Sequence, residues 1–142
     1  YQLEKAGIIH EIETCTPVPE VRGSPGRLSQ VFLNIIINSL HAMEQGGRLL
    51  VRISRRFYRI PERGGIRAVL IDFTDTGCGI APEHIDRVFN PFFTTRESGT
   101  GLGLAISYRI IEEHGGVMEV RSLVGEGTRM RVVLPEVADG DA

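Results

Sequence analysis

The chain contains no tryptophan, a single lysine and only two cysteines, and each scarcity removes a class of chemistry. Of its 16 basic residues, all except Lys5 are arginine. No Gly-Lys pair exists, which excludes the Walker phosphate loop, whose lysine reaches the β- and γ-phosphates. Schiff-base catalysis lacks a buried lysine for the same reason. Cys15 and Cys78 form no CxxC pair, and His10, His41, His84 and His114 lie far apart, so a structural zinc cluster is excluded. Two unstapled cysteines fit a reducing compartment, and a cytoplasmic location is expected even if a parent protein is membrane-anchored. No apolar run approaches the roughly 20 residues of a spanning helix, and the densest, 31–40, carries two asparagines. Direct membrane contact is therefore not expected. Charge nearly cancels, at 16 basic against 18 acidic residues and a net of −2, so a nucleic-acid partner is not expected either.

What is present fits one globular domain: 142 residues, of which 42% are hydrophobic and 24% charged. No signal peptide opens the chain. It begins at Tyr1 rather than Met, which reads as a piece excised from something longer. Residues 1–7 read as the end of an upstream linker, 8–135 as the domain, and 136–142 as an acidic, disordered tail.

Residues 8–13 alternate as a short strand. Ser24-Pro25 supplies a cap and a first-turn proline for a helix over 25–45, stopped by Gly46-Gly47. Residues 49–55 and 68–73 read as the next strands, joined by a long polar loop around 61–65. A short helix over 82–88, a Thr-, Ser- and Gly-rich loop over 89–101 and a helix over 102–114 follow. Residues 117–122 and 128–134 read as a hairpin across Gly125-Glu126-Gly127. The order β-α-β-β-α-loop-α-β-β predicts an α+β fold. It is a two-layer α/β sandwich with a mixed, mainly antiparallel sheet and its helices on one face.

Four segments stand out. On the apolar first helix, Asn34, Asn38, His41 and Gln45 recur at i, i+4, i+7 and i+11 and share one stripe. A solvated edge is the plain alternative, but such edges are normally Glu, Lys or Arg, and asparagine disfavours a helix interior. Asp75-Thr76-Gly77-Cys78-Gly79 ends a strand in an acid beside backbone able to approach a flat ligand; a simple turn capped by Asp75 is equally compatible. Gly99-Thr100-Gly101-Leu102-Gly103-Leu104 leads small residues into a helix, where free amides and the positive dipole end favour phosphate. A flexible linker is the competing reading. Between the clusters, Phe89-Asn90-Pro91-Phe92-Phe93-Thr94-Thr95-Arg96 has the aromatic anchors and glycine hinge of a closing lid.

Joined in this order, these pieces resemble the catalytic ATP-binding domain of sensor histidine kinases in the GHKL superfamily, of the nitrogen-regulation-like type. Asn34 to Ser39 is similar to its N box, Asp75 to Gly79 to its G1 box and Phe89 to Phe93 to its F box. Gly99 to Gly103 is similar to its G2 box, and Gly125-Glu126-Gly127-Thr128 to its last glycine motif. The resemblance spans roughly residues 8 to 135. It implies the GHKL ATP-binding fold and a pocket for ATP and Mg²⁺. The implied nucleotide-contacting set is Asn34, Asn38, His41, Asp75, Gly77, Gly79, Ile80, Phe93, Thr94, Thr95, Gly99, Thr100, Gly101, Leu102, Gly103, Leu104 and Thr128. Within it, Asp75 would accept the adenine amino group, with Thr128 assisting through water, and Asn38 would hold Mg²⁺. Asn34 would help to fix the phosphates, His41 stands where many relatives carry Lys or Arg, and Arg96 would neutralise the γ-phosphate; Asn34 and Arg96 are the implied catalytic pair.

The resemblance further implies transfer of the γ-phosphoryl group to a histidine in an upstream dimerisation domain, which would then serve a response regulator. His10-Glu11 lacks the following Asn-Pro and sits in a strand pattern, so the acceptor is expected outside the fragment, which alone is expected to be a monomer. Two alternatives stay open: an ATP-hydrolysing clamp, for which the water-activating Glu is replaced by Asn34, and a non-catalytic nucleotide-sensing module.

Overall fold

The computed structural model describes residues 7–91 and 103–137. The elements run β1 (Ile8–Thr14), α1 (Pro25–Ala42), β2 (Gly47–Ile60), β3 (Gly64–Asp75), α2 (Pro82–Ile85), α3 (Gly103–Glu113), β4 (Val117–Leu123) and β5 (Gly127–Pro135). The strands form one sheet in the order β1-β2-β3-β5-β4. β1 runs parallel to β2 and every other pair is antiparallel, which gives the mixed, mainly antiparallel sheet expected.

The apolar positions of α1 and α3 face the sheet. Leu28, Val31 and Ile35 of α1 and Ile110 and Ile111 of α3 pack on Leu49, Val69, Ile71, Phe73, Met130, Val132 and Leu134. This single interior layer carries most of the hydrophobic stabilisation. The opposite sheet face bears a smaller apolar group, Ala68, Leu70 and Val133, flanked by Tyr58, Ile66 and Val117. Beside it one row of charge crosses all five strands: Glu13, Arg52, Asp72, Arg131 and Glu119 stand opposite one another in register. Arg52 meets Glu13 at 3.1 Å, and Arg131 grips Asp72 with two bonds of 2.7 and 3.0 Å.

The helices lie antiparallel, tied at both ends. The Ser24 amide donates to His114 Nε2 at 3.1 Å, while His114 Nδ1 lies 2.7 Å from the Ile110 carbonyl. Arg27 pairs with Glu113, which also meets Arg109 at 3.4 Å. At the other end Asn34 reaches Gly103 and Ser107. Ser24 caps α1 by accepting from the Arg27 amide at 3.3 Å, with Pro25 in the first turn.

Three boundaries differ from expectation. The predicted long loop at 61–65 is instead a three-residue turn, Pro61 to Arg63, with Glu62 at φ 66°, and β2 and β3 pair from end to end. Gly64 and Gly65 read as loop in sequence, but the Phe57 ring lies across Gly65, where a Cβ has no room. The first helix stops at Ala42, three residues early, because the Cys78 amide takes the Ala42 carbonyl at 3.1 Å. Gln45 therefore leaves the polar stripe. The acidic tail begins later than its composition implied. Glu136 bridges to Val21, pairs with Arg55 at 3.2 Å and Arg67 at 3.6 Å, and the Val137 amide donates to the Glu20 carbonyl.

Candidate nucleotide site

Asp75 ends β3 on the helix-facing side of the sheet and is only 6% exposed. Its Oδ1 accepts from the Gly77 amide at 2.9 Å and the Thr128 amide at 3.2 Å. Ser39 on α1 is a further group beside the carboxyl that favours its charged form. Burial pushes the carboxyl above its ordinary value of 3.8, and the Gly77, Ser39 and Thr128 bonds pull it back. The result is an anchored, acceptor-rich group beneath the helix.

The loop after Asp75 is held from two sides. The Cys78 amide closes the end of α1, and the Cys78 carbonyl accepts from the Gly125 amide at 2.9 Å. A Cβ on Gly77 would stand 2.6 Å from the Ala42 Cβ and 2.7 Å from its carbonyl oxygen. Gly79 sits at φ 78°, and a Cβ there would overlap the Leu123 carbonyl. Both glycines thus permit close packing of the loop, a role their sequence pattern left undivided from ligand approach.

Thr128 pairs directly with Asp75 on one side and Ser122 on the other. The Ser122 hydroxyl accepts from the Ile80 amide at 2.7 Å, donates to the Gly127 carbonyl at 2.9 Å and lies 2.8 Å from Thr128 Oγ1. Of the sequence-predicted residues, Asp75, Gly77, Gly79, Ile80 and Thr128 thus form one cluster at the end of the sheet.

Asn34 lies further along α1. Its amide nitrogen points at the Gly103 carbonyl at 3.4 Å and Ser107 Oγ at 3.3 Å, fixing the first turn of α3 against α1. Asn38 is half-buried between the Asn34 and Asp75 ends, and His41 is exposed in the last helical turn. Leu104 packs against the core. Phe89 stacks on Tyr108 of α3 with ring centroids 5.0 Å apart, an aromatic anchor of the expected kind. Phe92, Phe93, Thr94, Thr95, Arg96, Gly99, Thr100, Gly101 and Leu102 lie outside the described residues.

Ser39, which enters the sequence reading only as the last residue of the N-box resemblance, Ser107 and Ser122 carry no role in it. A signal existed for the first two: a serine on the apolar arc of a helix must find a partner, and both are buried. Ser122 alternates inward with Met118 and Val120, which reads only as strand pattern. Among the described residues no group of three or more His, Cys, Asp or Glu could hold a metal, and no helix is long and apolar enough to cross a membrane.

Residues 23–138 match the family described as histidine kinase-, DNA gyrase B-, and HSP90-like ATPase. The chain is 42% identical over 118 residues to the sensor histidine kinase ZraS of Escherichia coli and 36% identical over 134 residues to sporulation kinase E of Bacillus subtilis. It spans 23% and 17% of those relatives, and 83% and 94% of its own length is aligned. The catalytic domain of histidine kinase ThkA superposes with a TM-score of 0.79 at 28% identity, covering 95% of this chain and 83% of that one. Full-length ShkA in complex with AMPPNP gives 0.78 at 30% identity, over 96% of this chain and 27% of that one. With a family match over most of the chain and a superposition of this extent, one assignment is left: the chain belongs to the histidine kinase-, DNA gyrase B-, and HSP90-like ATPase family.

Proposed function

We propose that this chain is the ATP-binding catalytic domain of a sensor histidine kinase, delivering the γ-phosphoryl group of Mg-ATP to a histidine in a separate dimerisation domain. The observation that carries the reading is Asp75: a buried carboxylate held by the Gly77 and Thr128 amides and by Ser39 at one end of α1. A carboxylate so placed accepts from an exocyclic amine, as adenine recognition requires. The other half of the site is the first turn of α3, which Asn34 fixes beside the same helix and whose dipole favours phosphate.

In this reading Asn38 provides an oxygen to Mg²⁺, a hard cation that keeps several waters and takes few protein ligands. Bound there, the metal would neutralise charge on the phosphates. Asn34 acts by holding α3, with its amide nitrogen committed to Gly103 and Ser107, and is the wrong residue type to activate water as a base. That favours transfer over hydrolysis and argues against the clamp alternative. Arg96 and the Thr94-Thr95 and Gly99-Thr100-Gly101 segments are assigned to phosphate contact by resemblance. Such transfer depends on positioning and charge neutralisation more than on covalent chemistry. The fragment acts as a monomer, with a response regulator served through the acceptor domain.

The test combines the chain with the upstream domain of its parent protein and radiolabelled ATP. Acid-labile, base-stable label on that domain is the expected result. Rapid release of free phosphate without label would instead favour the clamp.

A further inference from the structure

We propose that Ser122 is a specificity-determining positioning residue: by taking up the hydroxyl proton of Thr128 it leaves only acceptors at the base-recognising end, so the site selects a purine with a 6-amino group over one with a 6-carbonyl. The inference rests on the nucleotide reading above, and deepens it.

The argument is a count of protons. Asp75, Thr128 and Ser122 stand side by side on β3, β5 and β4, on the face that carries the helices. Ser122 Oγ has three neighbours: the Ile80 amide at 2.7 Å, the Gly127 carbonyl at 2.9 Å and Thr128 Oγ1 at 2.8 Å. A hydroxyl offers one proton and two lone pairs. The Ile80 amide can only donate, so it occupies one lone pair. The Gly127 carbonyl can only accept, so it receives the serine proton. The remaining lone pair faces Thr128, which must donate into it for all the groups to be satisfied. Thr128 then turns only lone pairs toward the Asp75 side.

Asp75 as a carboxylate also only accepts, and the Gly77 and Thr128 amides beside it are already donating to it. An amine at this end, directly or through a water, meets matching acceptors. A carbonyl oxygen meets lone pairs alone, and a buried polar group without a partner is what makes such sites discriminate. Ser122 touches no substrate in this scheme; it acts through Thr128.

The experiment measures the affinities of the full chain for ATP and inosine triphosphate by calorimetry with Mg²⁺. Wild type is expected to prefer ATP. Ser122→Ala frees the Thr128 hydroxyl to donate, and the ATP-to-ITP preference should shrink about tenfold. Ser122→Thr, which keeps the hydroxyl, should restore it. Thr128→Val should lower the preference by itself, and Ser122→Ala added to it should lower it no further. A Ser122→Ala protein that folds, by circular dichroism, and weakens both nucleotides equally overturns the proposal, because a merely structural role predicts that. If Ser122→Ala does not fold, Thr128→Val decides: an unchanged preference overturns the proposal. A wild type with no preference, or an Asp75→Asn protein with undiminished ATP affinity, instead removes the nucleotide reading on which the inference stands.

Discussion

Replacing Asp75 by asparagine separates recognition from folding, because the two shapes are equal and only one proton-bearing group changes. In the wild-type protein Oδ1 takes both the Gly77 and Thr128 amides, at 2.9 and 3.2 Å. The asparagine oxygen must keep that position, since an NH₂ there would oppose two N–H donors. The new amide nitrogen therefore occupies the other carboxylate position and faces an incoming amine donor to donor. Losing a charge-assisted hydrogen bond and stranding two donors together costs about 3–5 kcal/mol, roughly two to three and a half orders of magnitude in affinity. Stability should move the other way. Burial raises the folded carboxyl above 3.8, so the folded protein binds a proton more tightly than the unfolded chain. Its contribution to stability therefore declines as pH rises from 3.8 through the raised folded value, and the cost persists at neutral pH. Asparagine does not titrate, so the variant should lose that slope and be at least as stable at pH 7. Calorimetry with ATP and urea unfolding across pH check the two halves. Unchanged affinity, or a destabilised variant with the wild-type pH slope, would refute the reasoning.

Three further outcomes are expected, the first two from the geometry and the last from the metal role proposed for Asn38. Gly77→Ala forces a methyl group against Ala42 and should lower stability by about 2 kcal/mol or more, read as a fall in Tm. Asp72→Ala leaves the Arg131 guanidinium, with a side chain only 13% exposed, without its two-bond partner; a loss of about 3 kcal/mol is expected in urea unfolding. Asn38→Ala should abolish the dependence of ATP affinity on Mg²⁺ while the circular dichroism spectrum stays unchanged, and a Mg²⁺ titration identical to wild type would remove Asn38 from the metal site.

How much of this was legible in the sequence depended on whether a feature was local. The α1 start, carried by Ser24 and Pro25, and the alternation of the strands rest on neighbouring residues and were read correctly. The burial of Asp75 was legible in the same way, from its place between a strand and two glycines. The elements misjudged were those decided by distant partners. The β2–β3 arms are long because Phe57 crosses Gly65 and because Arg55 and Arg67 meet Glu136, a residue whose composition alone suggests a tail. The end of α1 is fixed by Cys78, some 35 residues on. Ser122 has no sequence mark at all; its importance exists only because Ile80, Gly127 and Thr128 converge on it.

The row of Glu13, Arg52, Asp72, Arg131 and Glu119 bears on how the domain keeps company. A sheet with helices on one side only leaves a broad flank that a twin molecule could cover, as sandwiches do. Here any layer laid flat over that flank would have to strip water from the exposed Glu13–Arg52 pair, at several kcal/mol for each ion not re-paired, while Asp72 and Arg131 are already paired and largely buried. The exposed end of that row is thereby kept wet, which disfavours a flat apolar partner laid over it.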